Sequence, residues 1–558
     1  MPLVNFNLSY SDGCCMISKP RRFLEIQRNE GLPTAMRVAF NYISPFSSPT
    51  ASHLRTLDKR ISEFELTDPK GVVLLPMIPG WYGTSGYRQA VLGHAFKIRG
   101  YKPVFLVNDA KFPICLGQMV EADNKQCKEE CVQTPEQIAE YFNTDIEYLT
   151  SHLQRTQKEY YDIVDEQSAP NLVYEDHNLT PFITSSLRRH FKRYTLDFSK
   201  PDHKARWRDF AVDAMMLKDG TDAVLSKYDV KTIIGFEETY IQGGLPLSCG
   251  EREGITGYSI DWGYKPQDLL FGKTNNRQYL ALFSDSKLLQ NVVETELSAS
   301  EIDAIEETMT QRMEGVNTKS DYVSFDHSSI DLGGYDIAVG LFTNLIWDAS
   351  LEAKEGAYSD PFEWLQTTLD WFESQPNKLL IIKTHPAETL EGRHGTNQPV
   401  AEWIYDYCGQ LSENVILLEP DADVNPYEMI SDIDVGIVYN SVIGLEMAYE
   451  GIPVIVAGDP HYRDLGFTHD ATNPDDYTEY LDGLSHGFDT SSTERLSQRY
   501  AHYFFERKHI PVEFYESEGT YSRKKYPVTH DELAGEPYET IVQQMIEGES
   551  VYLTRAKN

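Results

Sequence analysis

Residues 435–457 read VGIVYNSVIGLEMAYEGIPVIVA, and their order decides the fold. Val435–Tyr439 is a short apolar run, Ser441–Glu450 follows as a helix, Gly451 closes it and Pro453–Ala457 is a second apolar run. Strand, helix and strand in so short a stretch predict a βαβ unit, which requires parallel strands and a right-handed crossover. Neither run alternates polar with apolar residues, so helices are expected to cover both faces of the sheet.

The alternation extends outward. Asp336–Phe342, Leu379–Lys383 and Val415–Leu418 read as strands, separated by helices at Pro361–Ser374 and Val400–Cys408 and a helical turn at Pro426–Ile430. Five strands within about 120 residues predict a doubly wound sheet over residues 331–485. A second unit precedes it. Val72–Pro76, the turn PGWYGTSGYRQ, a helix at Gln89–Arg99 and a strand at Pro103–Asn108 repeat the βαβ pattern. Lys231–Phe236, Gly257–Asp261 and Tyr279–Ser284 add strands, Pro135–Tyr161 and Lys204–Tyr228 long helices, and Glu296–Glu314 an acidic surface helix. The Asn-, Ser- and Gly-rich stretch 315–334 marks the boundary. The expected plan is α/β: an N-terminal extension (1–70) packed on a first Rossmann-like domain (71–330), a facing second one (331–485) and a C-terminal helical segment (486–558). Within the extension, Thr34–Ser44 reads as a strand and Ser52–Leu66 as a helix.

Composition limits the partners. Against 50 Lys+Arg stand 86 Asp+Glu among 558 residues, a net charge of −36. Such a surface repels phosphate backbones, so no nucleic-acid partner is expected. Seven cysteines, odd in number and mostly scattered, fit neither a disulfide framework nor a four-ligand zinc spacing. No apolar run spans a membrane, and the N-terminus lacks the order of a signal peptide, which points to a cytoplasmic protein.

Ligands of open α/β sheets bind beyond the carboxyl ends of the strands. In the second domain those positions hold Asn344, Trp347 and Asp348; Lys383, His385 and Glu388; and Asn440, Ser441, Gly444 and Glu446. Ser441 stands where a strand hands over to a helix, so it either caps the helix or binds a phosphate at its N-terminus. Gly444 permits a close approach by backbone or ligand. Glu446 either accepts from a ribose or is an acid favoured in a first helical turn. His385, held by Pro386, can donate to a phosphate oxygen. Trp347 reads as core. Farther on, Tyr462, Gly466 and Thr468 are candidates to line the cleft, and Arg463 to neutralise phosphate. In the first domain Gly83, Gly86 and Arg88 lie in a Gly-rich turn that matches neither the Walker A nor the dinucleotide pattern. They are candidates for acceptor binding, as is Glu237. Asp109 is the candidate general base, with Glu237 and Glu238 competing. Asp421-x-Asp423 and Asp432-x-Asp434 are not read as metal sites, since the second pair flanks a strand start.

The HP after a strand, S-x-x-G-x-E at a strand-to-helix turn, G-x-P-V-I-V and the following G-x-x-x-Y-x-x-x-G-x-T resemble the capsule polysaccharide biosynthesis proteins. The resemblance covers residues 336–468, and more loosely 71–109 and 490–514. It implies a GT-B glycosyltransferase like the bacterial capsule Kdo transferases, with a nucleotide sugar as donor substrate, no cofactor and no metal. The acceptor would be a glycan or glycolipid, with peripheral attachment to the inner face of the membrane a further expectation. His385 and Ser441 would contact the donor phosphate and Glu446 its ribose. A nucleotide-sugar epimerase, a CDP-polyol phosphotransferase and a non-catalytic nucleotide- or carbohydrate-binding protein are the alternatives.

A net charge of −36 also fits a protein adapted to a salt-rich medium. If so, its melting temperature rises between ~0.1 M and ~2 M KCl as cations screen the self-repulsion. An unchanged melting temperature removes that reading.

Overall fold

The computed structural model describes residues 58–78, 86–109, 111–115, 120–121, 132–265, 268–274, 285–314, 333–348, 351, 356–389, 395–422, 424–512, 516–518, 521–523 and 528–554. The strand expected at 34–44, the Gly-rich turn at 79–85 and the strand expected at 279–284 lie outside these residues. Of the helix expected at 52–66, residues 59–63 are helical.

The first sheet is built on Val72–Pro76 (β1), followed by the helix Tyr87–Ile98 (α1) and by Lys102–Val107 (β2). The single long helix expected over 135–161 is instead interrupted. Asn143 takes a left-handed conformation (φ +47°) that ends a helix at Phe142, and Asp145–Tyr148 (β3) pairs in parallel with β2. Thr180–Phe191 (α2) and Pro201–Lys227 (α3) lead to Val230–Phe236 (β4), Ile241–Arg252 (α4), Gly257–Trp262 (β5) and Asp268–Lys273 (β6). Strand order is β6-β5-β4-β1-β2-β3, all parallel except β6. Strand side chains divide between the faces. Val72, Leu74, Val104 and Leu106 join a core with residues of α2, α3 and α4. On the other face Leu75 packs so closely on α1 that a Cβ at Gly93 would lie 2.8 Å from its Cδ1.

Ser286–Glu294 (α5) and Ala299–Met313 (α6) come next in the chain but pack in the core of the second sheet. Leu289, Val292, Ile305 and Met309 are buried there, so the stretch 296–314 is no simple surface helix. The second sheet follows: Ile337–Phe342 (β7), Pro361–Glu373 (α7), Lys378–Lys383 (β8), Val400–Cys408 (α8), Val415–Leu418 (β9), Pro426–Asp432 (α9), Val435–Val438 (β10), Ile443–Tyr449 (α10), Val454–Val456 (β11) and a short sixth strand, His469–Asp470 (β12). Its order, β9-β8-β7-β10-β11-β12, is parallel throughout. Alternate residues such as Leu379 and Leu380 enter separate cores on the two faces. Two Rossmann-like sheets, each covered by helices, are the α/β architecture expected.

The C-terminal segment is shared between the two sheets. Thr493–His502 (α11) sends Tyr500 into the second core, and Tyr503, Phe504 and Phe505 follow it there. Ile510–Pro511 (β13) then pairs antiparallel with β6, extending the first sheet to seven strands. Helices at His530–Ala534 and Tyr538–Glu547 end the described chain beside α1, where Arg99 donates to the Leu533 carbonyl (2.9 Å).

Candidate functional site

Strand β7 lies between β8 and β10, so the connections from β7 and β10 leave on opposite sides and open a crevice at their carboxyl ends. Three expected residues or pairs meet on that rim: Asn344 after β7, His385 after β8 and Asn440-Ser441 after β10. The Asn440 N–H donates to Asn344 Oδ1 (3.3 Å), tying two of the strand ends together. His385 Nδ1 accepts the Ala387 N–H (3.1 Å), which leaves the proton of the neutral ring on Nε2, the tautomer able to donate to an anion.

Ser441 is not the helix cap. The helix starts at Ile443 with Val442 at the cap position and no side-chain capping bond. The Ser441 carbonyl is anchored instead, accepting the Tyr462 hydroxyl (2.6 Å) and the Gly444 N–H (3.2 Å). A Cβ at Gly444 would sit 2.0 Å from the Tyr462 oxygen, so this glycine serves the approach of a side chain rather than of a ligand. Tyr462 lies fully buried behind the turn.

Four other candidates have partners within the protein. Lys383 is buried, donates to the Glu419 carbonyl (3.0 Å) and has its pKa lowered by desolvation. Glu388 is buried and accepts the Val400 N–H (3.1 Å) at the start of α8; desolvation pushes its pKa up to about 8. Arg463 donates to the Gly458 and Ala471 carbonyls (2.8 and 2.9 Å) and so braces its own loop. Glu446, 1% exposed, forms an ion pair with Arg312 of α6: Nε and Nη2 approach Oε1 to 2.8 and 2.5 Å, and the Tyr427 hydroxyl is 3.4 Å away. The Arg312 guanidinium also lies 4.7 Å from the Phe505 ring centre. Sequence reasoning missed Arg312. Its helical spacing from Ile305 and Met309, which puts it on the buried face of α6, was the available signal.

Trp347 is core, as read: it clusters with Leu345 and Ala387 and donates to the Gly395 carbonyl (3.0 Å). Thr468 donates to Asp470 (2.7 Å). Asp434 accepts the Ala338 N–H (2.8 Å) at the opposite rim, where β7 begins.

In the first domain Glu237 ends β4 in a left-handed conformation (φ +57°). The corner is tight: a Cβ at Gly244 would lie 1.7 Å from the Glu238 carbonyl oxygen. Arg189 of α2 holds the Glu237 carboxylate (2.7 Å) and feels the charge of Asp348 on the second domain's rim, both of which raise its pKa. Glu237 and Asp348 thus share the field of one guanidinium. Asp109 has other company: its Oδ2 accepts from Lys111 and from Thr150, beyond β3 at the sheet edge. Arg88 lies buried with its guanidinium carbon 3.1 Å from the Trp262 ring centre. Gly86 precedes α1, and Gly83 lies outside the described residues. The two domains also touch directly: Asn397 donates to the Lys192 and Phe191 carbonyls (2.8 and 2.9 Å), and Tyr194 to that of Ser359 (2.6 Å).

Residues 353–515, which span β8 to β13, match the family model described as capsule polysaccharide biosynthesis protein. That region is similar to the capsule polysaccharide biosynthesis proteins. The match bears out the resemblance drawn from the strand-end motifs. No curated protein matches the chain. Among solved structures, the beta Kdo 2,4 transferase and the beta Kdo 2,7 transferase of Thermosulfurimonas dismutans KpsC are similar at 15% identity each. They cover 49% and 50% of this chain and 79% of their own, with TM-scores of 0.34 and 0.31. The UDP-GlcNAc 2-epimerase of Neisseria meningitidis is 11% identical over 76% of this chain and 93% of its own, with a TM-score of 0.23. At such scores none of the three informs the chemistry of this site. Among the described residues no group of three or more His, Cys, Asp or Glu side chains is placed to hold a metal, and no helix is long and apolar enough to cross a membrane.

Two outcomes follow from the buried groups. Arg312→Met strands the Glu446 carboxylate and lowers stability by about 3–5 kcal/mol in urea unfolding, while Arg312→Met with Glu446→Leu recovers most of the loss. For Glu388 the folded pKa exceeds the unfolded one, so the folded state holds its proton more tightly. Stability therefore falls as pH rises from the free carboxyl value towards about 8. Glu388→Gln, which keeps a carbonyl for Val400, flattens that fall when urea midpoints at about pH 5 and about pH 8 are compared.

Proposed function

We propose that this protein is a metal-independent glycosyltransferase that moves a sugar from a nucleotide-activated donor to a glycan or glycolipid acceptor in surface polysaccharide synthesis. The observation that carries this reading is the convergence of His385, Asn344 and Asn440-Ser441 on the crevice between β7 and β10, with His385 and Asn440-Ser441 inside the region that matches the family. The donor phosphate lies there, facing His385 Nε2–H and the Ser441 hydroxyl. Asp348 stands on the same rim. Lys383, Glu388 and Glu446 act from behind: the first two brace the His385 turn, and Glu446 fixes α10 through Arg312. The enzyme works in the cytoplasm, and an acceptor carried on lipid brings it to the inner face of the membrane.

The acceptor lies on the rim of the first sheet. Of the two carboxylates considered as base, Glu237 suits the role better than Asp109, because Glu237 follows β4 at the switch point of the first sheet whereas Asp109 is engaged by Lys111 and Thr150 towards the sheet edge. The Glu237 carboxylate takes the proton of the acceptor hydroxyl. The hydroxyl oxygen bonds to the anomeric carbon as the bond from that carbon to the phosphate oxygen breaks, and the nucleotide leaves with the electron pair. Hydrogen bonds from His385 and Ser441 stabilise the departing charge. Burial of the reacting groups between two rims supplies orientation.

Titration of CMP, CDP, UDP and GDP into the full chain tests the donor site. His385→Ala and Ser441→Ala each weaken the nucleotide that binds by ten- to a hundredfold, as loss of a charge-assisted hydrogen bond of ~1.5–3 kcal/mol requires. Unchanged affinity in both variants, with the fold intact, overturns the site. Interconversion of free donor sugar without acceptor identifies an epimerase instead.

A further inference from the structure

Residues 188–208, RRHFKRYTLDFSKPDHKARWR, run from the end of α2 into the first turns of α3 and invert the charge of the chain. They hold eight Lys+Arg against two Asp, whereas elsewhere acids outnumber bases two to one. Part of this excess is used within the fold. Arg188 and Arg189 lie in the last turn of α2, where the helix dipole favours cations, and Arg189 also holds Glu237. Arg206 and Arg208 pair with Asp209 and Asp165.

Arg193, Lys200 and Lys204 differ, for they make no ion pair among the described residues. Lys200 and Lys204 are exposed, and Arg193 Nε is enclosed without a hydrogen-bond partner. Lys200 occupies the cap position of α3 with no side-chain capping bond, and the Lys204 N–H donates to its carbonyl (3.1 Å), one turn on. Cations at this end of a helix oppose its dipole, and Ser, Thr, Asp or Asn is the usual cap. Arg193 and Lys200 also act together on His203, whose pKa is lowered by burial and by these two charges against the pull of Asp202. Three cations thus stand together where local electrostatics disfavours them, a departure that points to a use outside the fold.

The patch borders the crevice. The Lys192 carbonyl accepts the Asn397 N–H (2.8 Å), and Gln398 Oε1 accepts the Tyr194 and Thr195 N–H groups (3.1 and 3.0 Å). Asn397 and Gln398 belong to the connection from β8 to α8, which begins with His385. The cations are spread over a loop and a helix start, which fits an array of anions rather than a single one. None of the four aromatic residues in the stretch is exposed, so nucleic-acid bases have nothing to stack on. A membrane touches one face only, and acids more than about 10 Å from it are screened, so a chain of charge −36 can still meet it through a local basic patch.

We propose that Arg193, Lys200 and Lys204 form a docking surface for the anionic headgroups of a membrane, with the mouth of the crevice beside it. The docking stands on charge; that it presents the crevice to a lipid-linked acceptor rests on the glycosyltransferase reading.

Flotation of the full chain with vesicles tests this. At about 0.1 M KCl the wild type is expected to float with vesicles of equal parts phosphatidylglycerol and phosphatidylcholine, not with phosphatidylcholine alone, and to be released at about 0.5 M KCl. Lys200→Gln with Lys204→Gln, both at exposed positions, is expected to weaken that partition by roughly twenty-five-fold, and addition of Arg193→Gln by roughly a hundredfold in all. Lys158→Gln with Lys231→Gln removes the same charge from other elements and is expected to leave the partition unchanged. Failure of the wild type to float with the anionic vesicles overturns the docking surface. Equal weakening by the two double variants does so too, because it marks dependence on net charge alone. Binding of duplex DNA or of polyglutamate that the Lys200 and Lys204 variant loses, with vesicles ignored, assigns the patch to a soluble polyanion and also overturns it. Nucleotide titration of the His385 and Ser441 variants is independent of these outcomes, so the docking surface and the glycosyltransferase reading fail separately.

Discussion

Parallel pairing is the constraint on which the rest depends. A strand that pairs in parallel with its neighbour must be reached by a crossover, so all its neighbours end on the same rim and both faces are covered. In the second sheet this holds for all six strands, which is why residues as distant in sequence as Asn344, His385 and Ser441 end together. The first sheet obeys the same rule from β3 to β5 and so presents Asp109 and Glu237 on one rim, though at different strands. Among the described residues of the two large sheets, antiparallel pairing enters at β6 and β13, away from both switch points.

Behind each rim a buried cation does positional work in a chain short of cations. Arg312 comes from a helix that precedes the second sheet and fastens α10, the helix after Ser441, through Glu446. Arg189 comes from α2 and fastens the corner where Glu237 is held with positive φ. Neither guanidinium is solvated as a surface charge would be, and each has a carboxylate within 2.8 Å. Such pairs contribute little net stability relative to apolar replacements, yet they fix which way a helix or a corner must sit.

Much of this was legible in the sequence because doubly wound sheets write themselves as apolar runs separated by helices. The strand at 415–418 and the helix at 400–408 were read to the residue. Errors arose where local pattern and tertiary context diverge. Asn143 breaks a stretch whose composition is helical throughout, and only its left-handed backbone reveals the break. The helix at 299–313 looks acidic and exposed, but Ile305, Met309 and Arg312 form a narrow buried stripe that overall charge conceals. The strand-end residues were found, but not their company. A sequence cannot say that Tyr462 fills the space beside Gly444, or that Lys383 turns inward to a carbonyl, because those partners lie on other strands.

The chain crosses from the first sheet to the second after Lys273, and crosses back between Lys508 and Ile510. One connection would leave two bodies free to swivel like a ball in a socket. A second connection removes part of that freedom. The hydrogen bonds of Asn397 to Phe191 and Lys192, and the seat of Tyr194 in the second core, then serve as the catch.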